Sequence, residues 1–163
     1  RRTGRLLRAR PSARGEDDEL VVFCAPDHPL AGKGRATLAE LIGQPWIVRE
    51  AGSGTRETLD QALRHHHAAL PIRLELEHTE AIKRAVEFGL GVGCISRLAL
   101  REAFRRGSLV AIETPELDLR RHFHFLWHRR KFQTAGMREF IALCRSMTAG
   151  VERSDQIVWP VIP

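Results

Sequence analysis

The chain has 163 residues, 43% of them hydrophobic and 28% charged, which is ordinary for a folded globular protein with a sizeable core. No apolar stretch approaches the roughly 18 residues of a membrane span. The formal charge of +6 raises the question of nucleic acid. However, the excess lies in Arg1, Arg2, Arg5, Arg8, Arg10 and Arg14, with no acidic residue before Glu16 and no aromatic interleaving, so it reads as a solvated basic run. The basic start lacks the apolar segment of a signal peptide, which points to the cytoplasm. Cys24, Cys94 and Cys144 are odd in number and far apart, each within an apolar pattern, which suits reduced core thiols rather than disulfides or a zinc site.

In chain order, residues 1 to 18 show no apolar period beyond Leu6-Leu7. Glu19 to Ala25 predicts a buried strand, stopped by Pro26-Asp27-His28-Pro29. Thr37 should cap a short helix with Leu38, Leu41 and Ile42 on one face. Trp46 to Val48 predicts a second buried strand, running through Gly52-Ser53-Gly54-Thr55-Arg56 into a helix with Leu59, Ala62 and Leu63 at helical spacing. That helix fades at His65-His66-His67. Ile72 to His78 alternates as a strand, and Thr79 should cap a helix carrying Ile82, Ala85 and Val86. Gly91 to Ile95 is a short strand, Ser96 caps the next helix, and Leu109 to Ile112 and Arg121 to Trp127 read as strands. The last helix, from Thr134, sets Met137, Phe140, Ile141, Cys144 and Met147 at helical spacing. Strands alternating with helices from residue 45 predict an α/β domain with an open, mostly parallel sheet covered on both faces. Ligands bind such sheets outside the carboxyl ends of the strands, where Ser53, Thr79 and Ser96 begin helices.

The Gly52 to Arg56 stretch has the chemistry of an anion receptor. Glycines allow close backbone approach, helix N–H groups and the dipole favour negative charge, Ser53 and Thr55 add hydroxyls, and Arg56 adds a planar cationic fork. The same residues also suit a plain strand-to-helix turn that binds nothing. Arg56 could instead pair with Glu57 or Asp60, and Thr79 could serve as a cap, as a ligand group, or as both. Enzyme readings find no support. Consecutive helical histidines such as His65 to His67 cannot share an ion, and His122, His124 and His128 lack accompanying Cys, Asp or Glu. Gly52-Ser53-Gly54 is not a nucleophile elbow, and Gly89-Leu90-Gly91-Val92-Gly93 does not follow a strand. No catalytic residue, metal or cofactor is expected.

Taken together, several segments resemble the effector-binding domain of the LysR-type transcriptional regulators. They are Glu19-Leu20-Val21-Val22 with Pro26-Asp27-His28-Pro29-Leu30, Leu38-Ala39-Glu40-Leu41, Pro45-Trp46-Ile47, and Gly52-Ser53-Gly54-Thr55-Arg56. Thr79-Glu80-Ala81-Ile82-Lys83, Val86-Glu87-Phe88-Gly89-Leu90-Gly91-Val92-Gly93 and Ser96-Arg97-Leu98-Ala99-Leu100 complete the set. The resemblance covers about residues 17 to 147 and implies a type 2 periplasmic-binding-protein-like fold. One complete Rossmann-like lobe is expected, with remnants of a second. On that pattern residues 1–18 are a first-lobe remnant or a disordered basic segment. Residues 19–128 hold the hinge strands and second lobe, 129–150 a helix returning to the first lobe, and 151–163 an unmatched tail.

The function implied is effector sensing: binding a small anionic metabolite to control transcription. The family resemblance also implies pairing as a homo-oligomer. No helix-turn-helix is visible, so this stretch alone is not expected to bind a specific operator, although full-length relatives bind DNA; no membrane partner is expected. A solute-binding protein for transport of a small anion is the alternative on the same fold, and would need a signal peptide or lipid anchor. The expected effector contacts are Ser53, Gly54, Thr55 and Arg56, with Thr79, Glu80 and an apolar wall at Ile95.

Overall fold

The structure is a computed structural model and describes residues 14–124, 132–150 and 156–157. The basic run before Arg14, the expected strand beyond His124 and nearly all of the tail lie outside the described residues. Six strands form one sheet: β1 (Arg14–Cys24), β2 (Trp46–Arg49), β3 (Ile72–Leu76), β4 (Val92–Ser96), β5 (Val110–Ile112) and β6 (Arg120–His124). Between them run α1 (Leu38–Ile42), α2 (Gly54–Arg64), α3 (Thr79–Glu87) and α4 (Arg97–Arg106), with α5 (Ala135–Thr148) after β6.

The strand order is β3-β2-β4-β1-β5, and β6 lies off that path, paired with β1. β2 runs parallel to β3 and β4, whereas β1 is antiparallel to β4 and β5. Along the path β3-β2-β4-β1-β5 the sheet is thus parallel where helices cross over and reversed at β1. Alternation along the strands feeds two cores. Leu20, Val22, Cys24, Trp46, Val48, Val92 and Cys94 face α1 and α2. Val21, Phe23, Ile47 and Ile95 face α3 and α4, where Ile82, Val86, Leu100 and Ala103 close the layer. Strands covered on both faces read as continuous apolar runs, which is why β1, β2 and β4 were visible in the sequence.

Two compact units share the chain. The larger, Asp18–Arg121, contains β2 to β5, parts of β1 and β6, α1 to α4 and both cores; the smaller comprises Arg1–Asp17 with His122–Pro163. The division falls inside β1 and inside β6. In the smaller unit Thr134 caps α5 by accepting from the Met137 N–H at 3.2 Å. Met137, Ile141, Cys144 and Met147 form its half-buried stripe, while Phe140, expected on that stripe, is exposed.

Two of the departures from the expected boundaries have a physical reason. β1 starts at Arg14, within the segment read as patternless, because strand pairing is a backbone property and the polar residues there leave no apolar signature. α3 has His78, not Thr79, at the N-cap position, and no side chain closes that end. α1 keeps its expected cap: Thr37 Oγ1 accepts from the Glu40 N–H at 3.3 Å, while Glu40 Oε2 accepts from the Thr37 N–H at 2.9 Å.

The Lys33 ammonium donates to Glu40 as well, and this bond, ahead of the two from Thr37, lowers the Glu40 carboxyl from an ordinary 4.5 to about 2. A depressed folded value means that the contribution is complete above the unfolded pKa and disappears as pH falls through the folded one. The stability difference between wild type and Glu40→Gln should therefore be constant above about pH 4.5 and vanish as pH approaches about 2. Urea titrations across that range check it; a difference that grew with acid would contradict it.

Candidate functional site

Parallel β2, β3 and β4 deliver the starts of α2, α3 and α4 to one edge of the sheet. The turn between β2 and α2 is built to leave donors facing outward. Gly52 takes φ 89°, a left-handed conformation that suits glycine, and so reverses the chain after the strand. Ser53 is the N-cap of α2, its Oγ accepting from the Arg56 N–H at 3.1 Å. The N–H groups of Gly54 and Thr55 stand in the first turn, where a helix supplies no acceptor of its own. A Cβ placed on Gly54 would meet nothing within 4 Å, so open space lies at this helix start.

Thr55 is buried, only 9% exposed, and its Oγ1 accepts from Arg121 Nη1 at 3.1 Å. A threonine hydroxyl has one proton as well as two lone pairs. Among the described residues that proton meets no acceptor. Arg121 belongs to β6 and is held by Asp18 of β1: Nε and Nη2 each lie 2.7 Å from Asp18 Oδ2. Asp18 Oδ1 accepts from Ser96 Oγ at 2.8 Å, and the Asp18 side chain is wholly buried. A chain of polar groups therefore links the starts of α2 and α4 through a buried carboxylate. Ser96 occupies the N-cap position of α4, as expected, but its hydroxyl serves Asp18 and not the helix. A charged acceptor makes the stronger hydrogen bond.

The remaining expected contacts are placed differently. Arg56 turns back behind the turn: Nε donates to Asp60 at 3.0 and 3.1 Å, and Nη1 to the Arg49 carbonyl at 3.1 Å and to Glu75 Oε2 at 3.0 Å. Burial works against its charge, but the bonds to Asp60 and Glu75 prevail and hold its pKa above the usual guanidinium value. With Glu75 also accepting from the Ala51 N–H at 3.4 Å, Arg56 fastens the turn to β3. Ile95 is no wall of this edge: it is 2% exposed, because alternation along β4 sends it into the α3–α4 core. Thr79 is half-buried at the start of α3, and Glu80 is exposed and paired with Lys83 at 2.6 Å. Ser53, Gly54 and Thr55 thus stand together, joined by Arg121, which sequence reasoning had placed only as a hinge-strand residue.

The thiols are not part of this chemistry. Burial, and then the charge of Asp27, raises Cys24 to about 11; burial raises Cys94 to about 12. Both stay protonated at neutral pH. His66 Nε2 donates to the Glu116 carbonyl at 2.7 Å. Among the described residues no group of three or more His, Cys, Asp or Glu is placed to hold a metal, and no helix is long and apolar enough to cross a membrane.

Helix starts, hydroxyls and a guanidinium at the edge of a parallel sheet are the setting in which open α/β lobes take ligands. A family model described as the LysR substrate binding domain matches residues 7–149, and the chain belongs to that family. The HTH-type transcriptional regulator YeiE of Escherichia coli strain K12 is 42% identical over 128 residues, 78% of this chain and 43% of YeiE. The RuBisCO operon transcriptional regulator of Allochromatium vinosum is 32% identical over 115 residues, 71% of this chain and 38% of that protein. The chain therefore spans less than half the length of these relatives.

Among solved structures, the regulatory domain of Synechocystis PCC6803 CcmR in complex with 2-PG aligns with a TM-score of 0.77 and 29% identity. The alignment covers 85% of this chain and 67% of that one. The effector binding domain of QuiR in complex with shikimate shares the fold, with a TM-score of 0.71, 16% identity, and coverage of 84% and 65%. The fold is the type 2 periplasmic-binding-protein-like fold of LysR effector domains. The relatives are regulators of transcription, and transport of a solute is not the favoured reading.

Proposed function

We propose that this chain is the effector-sensing part of a bacterial transcriptional regulator and takes a small anionic metabolite at the start of α2. The observation that carries this is the Thr55 hydroxyl: buried, with Arg121 on one lone pair and no acceptor for its proton among the described residues. Leaving a buried donor unused is costly, and an anion seated at the helix start would accept from it. Ser53 Oγ and the N–H groups of Gly54 and Thr55 complete the donor set, with Thr79 at the start of the adjacent α3 as a further contact. Arg56 acts from behind, as the clamp of the turn. A cytoplasmic location and pairing with a second copy belong to the same reading, and light scattering tests the pairing.

Charge-assisted hydrogen bonds contribute about 1.5 to 3 kcal/mol each, so two or three give dissociation constants in roughly the millimolar to micromolar range. Calorimetry of the full chain with sulfate, inorganic phosphate and 2-PG tests the site. Saturable binding of at least one, weakened about tenfold or more by Thr55→Val, is the expected result. Binding by none of the three, or binding that Thr55→Val leaves untouched, refutes it.

A further inference from the structure

Asp18 and Arg121 are the first and last residues of the larger unit, so each stands at one of the two points where the chain passes between units. They are 103 residues apart in sequence and form a buried ion pair. The same guanidinium that neutralises Asp18 reaches, through Nη1, the hydroxyl at the start of α2. The fork geometry of arginine permits both at once, two nitrogens on the carboxylate and the third on Thr55.

Resting on the anion site proposed above, we infer that Arg121 is its positioning residue: fixed by Asp18, it occupies a lone pair of Thr55 Oγ1 and so turns the hydroxyl proton to the ligand. A hydroxyl rotor with no partner spreads its proton over several directions. A cation on one side of the oxygen removes the direction facing it, and polarises the O–H as a stronger donor. Ser96, donating to the other oxygen of Asp18, stops the carboxylate from turning away from Arg121. Arg121 thereby acts on the ligand through Thr55, and the two crossings of the chain share a hydrogen-bonded path with the site.

The test is a double-mutant cycle on the full chain, read by calorimetry with inorganic phosphate and with 2-PG. Arg121→Lys keeps the charge beside Asp18, and so guards the fold, but a single ammonium lacks the fork that serves both partners. Thr55→Val removes the hydroxyl at nearly constant shape, and Thr55→Ser restores it. Arg121→Lys and Thr55→Val should each weaken binding about tenfold, the double variant should be no weaker than Thr55→Val, and Thr55→Ser should stay within about threefold of wild type. Losses that multiply to about a hundredfold in the double variant, or wild-type affinity in Arg121→Lys, overturn the positioning role and leave the anion site standing on its Thr55→Val loss. Wild-type protein that binds neither of these probes nor sulfate removes both.

Discussion

Gly91→Ala should cost more stability than any other added methyl group in the larger unit. Its φ is 151°, a region side chains rarely adopt, and a Cβ there would lie 2.2 Å from the Pro45 carbonyl oxygen and 2.9 Å from the Pro45 carbonyl carbon. Backbone cannot step aside as a side-chain tip can. Pro45 O accepts from the Val92 N–H at 2.9 Å, and the neighbouring Trp46 is fully buried, with Nε1 donating to the Leu41 carbonyl at 2.9 Å. Retreat of Pro45 would therefore pull β2 away from β4. Backbone strain of about 1–3 kcal/mol and overpacking of similar size add to roughly 2–6 kcal/mol.

Gly93→Ala should rank below it, at about 1–3 kcal/mol. Its Cβ would meet the Phe23 ring at 2.7 and 2.9 Å and Val86 Cγ2 at 3.2 Å, and these are side chains, which can shift within a tight core. Gly32→Ala is the control, with nothing within 4 Å and no unusual φ. Urea midpoints at unchanged slope check the ranking. A Gly91→Ala midpoint equal to that of Gly32→Ala would show that the 45–46 and 91–92 backbones are not held together as described.

What the sequence revealed follows from range. Apolar runs and their turns are local, so β1, β2, β4 and the helices between them were readable, as was the turn at Gly52 to Thr55 that starts α2. The Thr37 cap, which reaches Glu40 three positions on, was legible for the same reason, whereas the answering bond from Glu40 was not read. One-residue questions were not: His78 rather than Thr79 precedes α3, a distinction pattern reading cannot make. Arg56 illustrates the boundary. Its bond to Asp60, four residues on, stood among the open alternatives, whereas its bond to Glu75 depends on β3 lying beside β2. The buried Asp18 and its partner Arg121 were out of reach altogether. Asp18 is one of four consecutive acidic residues, Glu16 to Glu19, so no local pattern singles it out for burial, and nothing in the intervening chain names Arg121 as its partner.

That pair supplies the other large effect. Arg121→Ala should destabilise the protein by about 3–5 kcal/mol, because the Asp18 carboxylate loses its cation where solvent cannot replace it. A neutral donor such as the Ser96 hydroxyl does not compensate a buried charge. Arg97→Ala provides the comparison. Arg97 Nε also makes a close ion pair, 2.9 Å from Glu19 Oε2, but that carboxylate is 41% exposed and can be resolvated, so the loss should be only about 0–1 kcal/mol. Removing both members of the buried pair, as Asp18→Leu with Arg121→Met, should recover much of the stability lost in Arg121→Ala, since no charge is then left without a partner. The order of urea midpoints should be Arg97→Ala highest, the double variant next and Arg121→Ala lowest. Equal midpoints for Arg97→Ala and Arg121→Ala would mean that water reaches Asp18, and that the carboxylate does not hold Arg121 against Thr55.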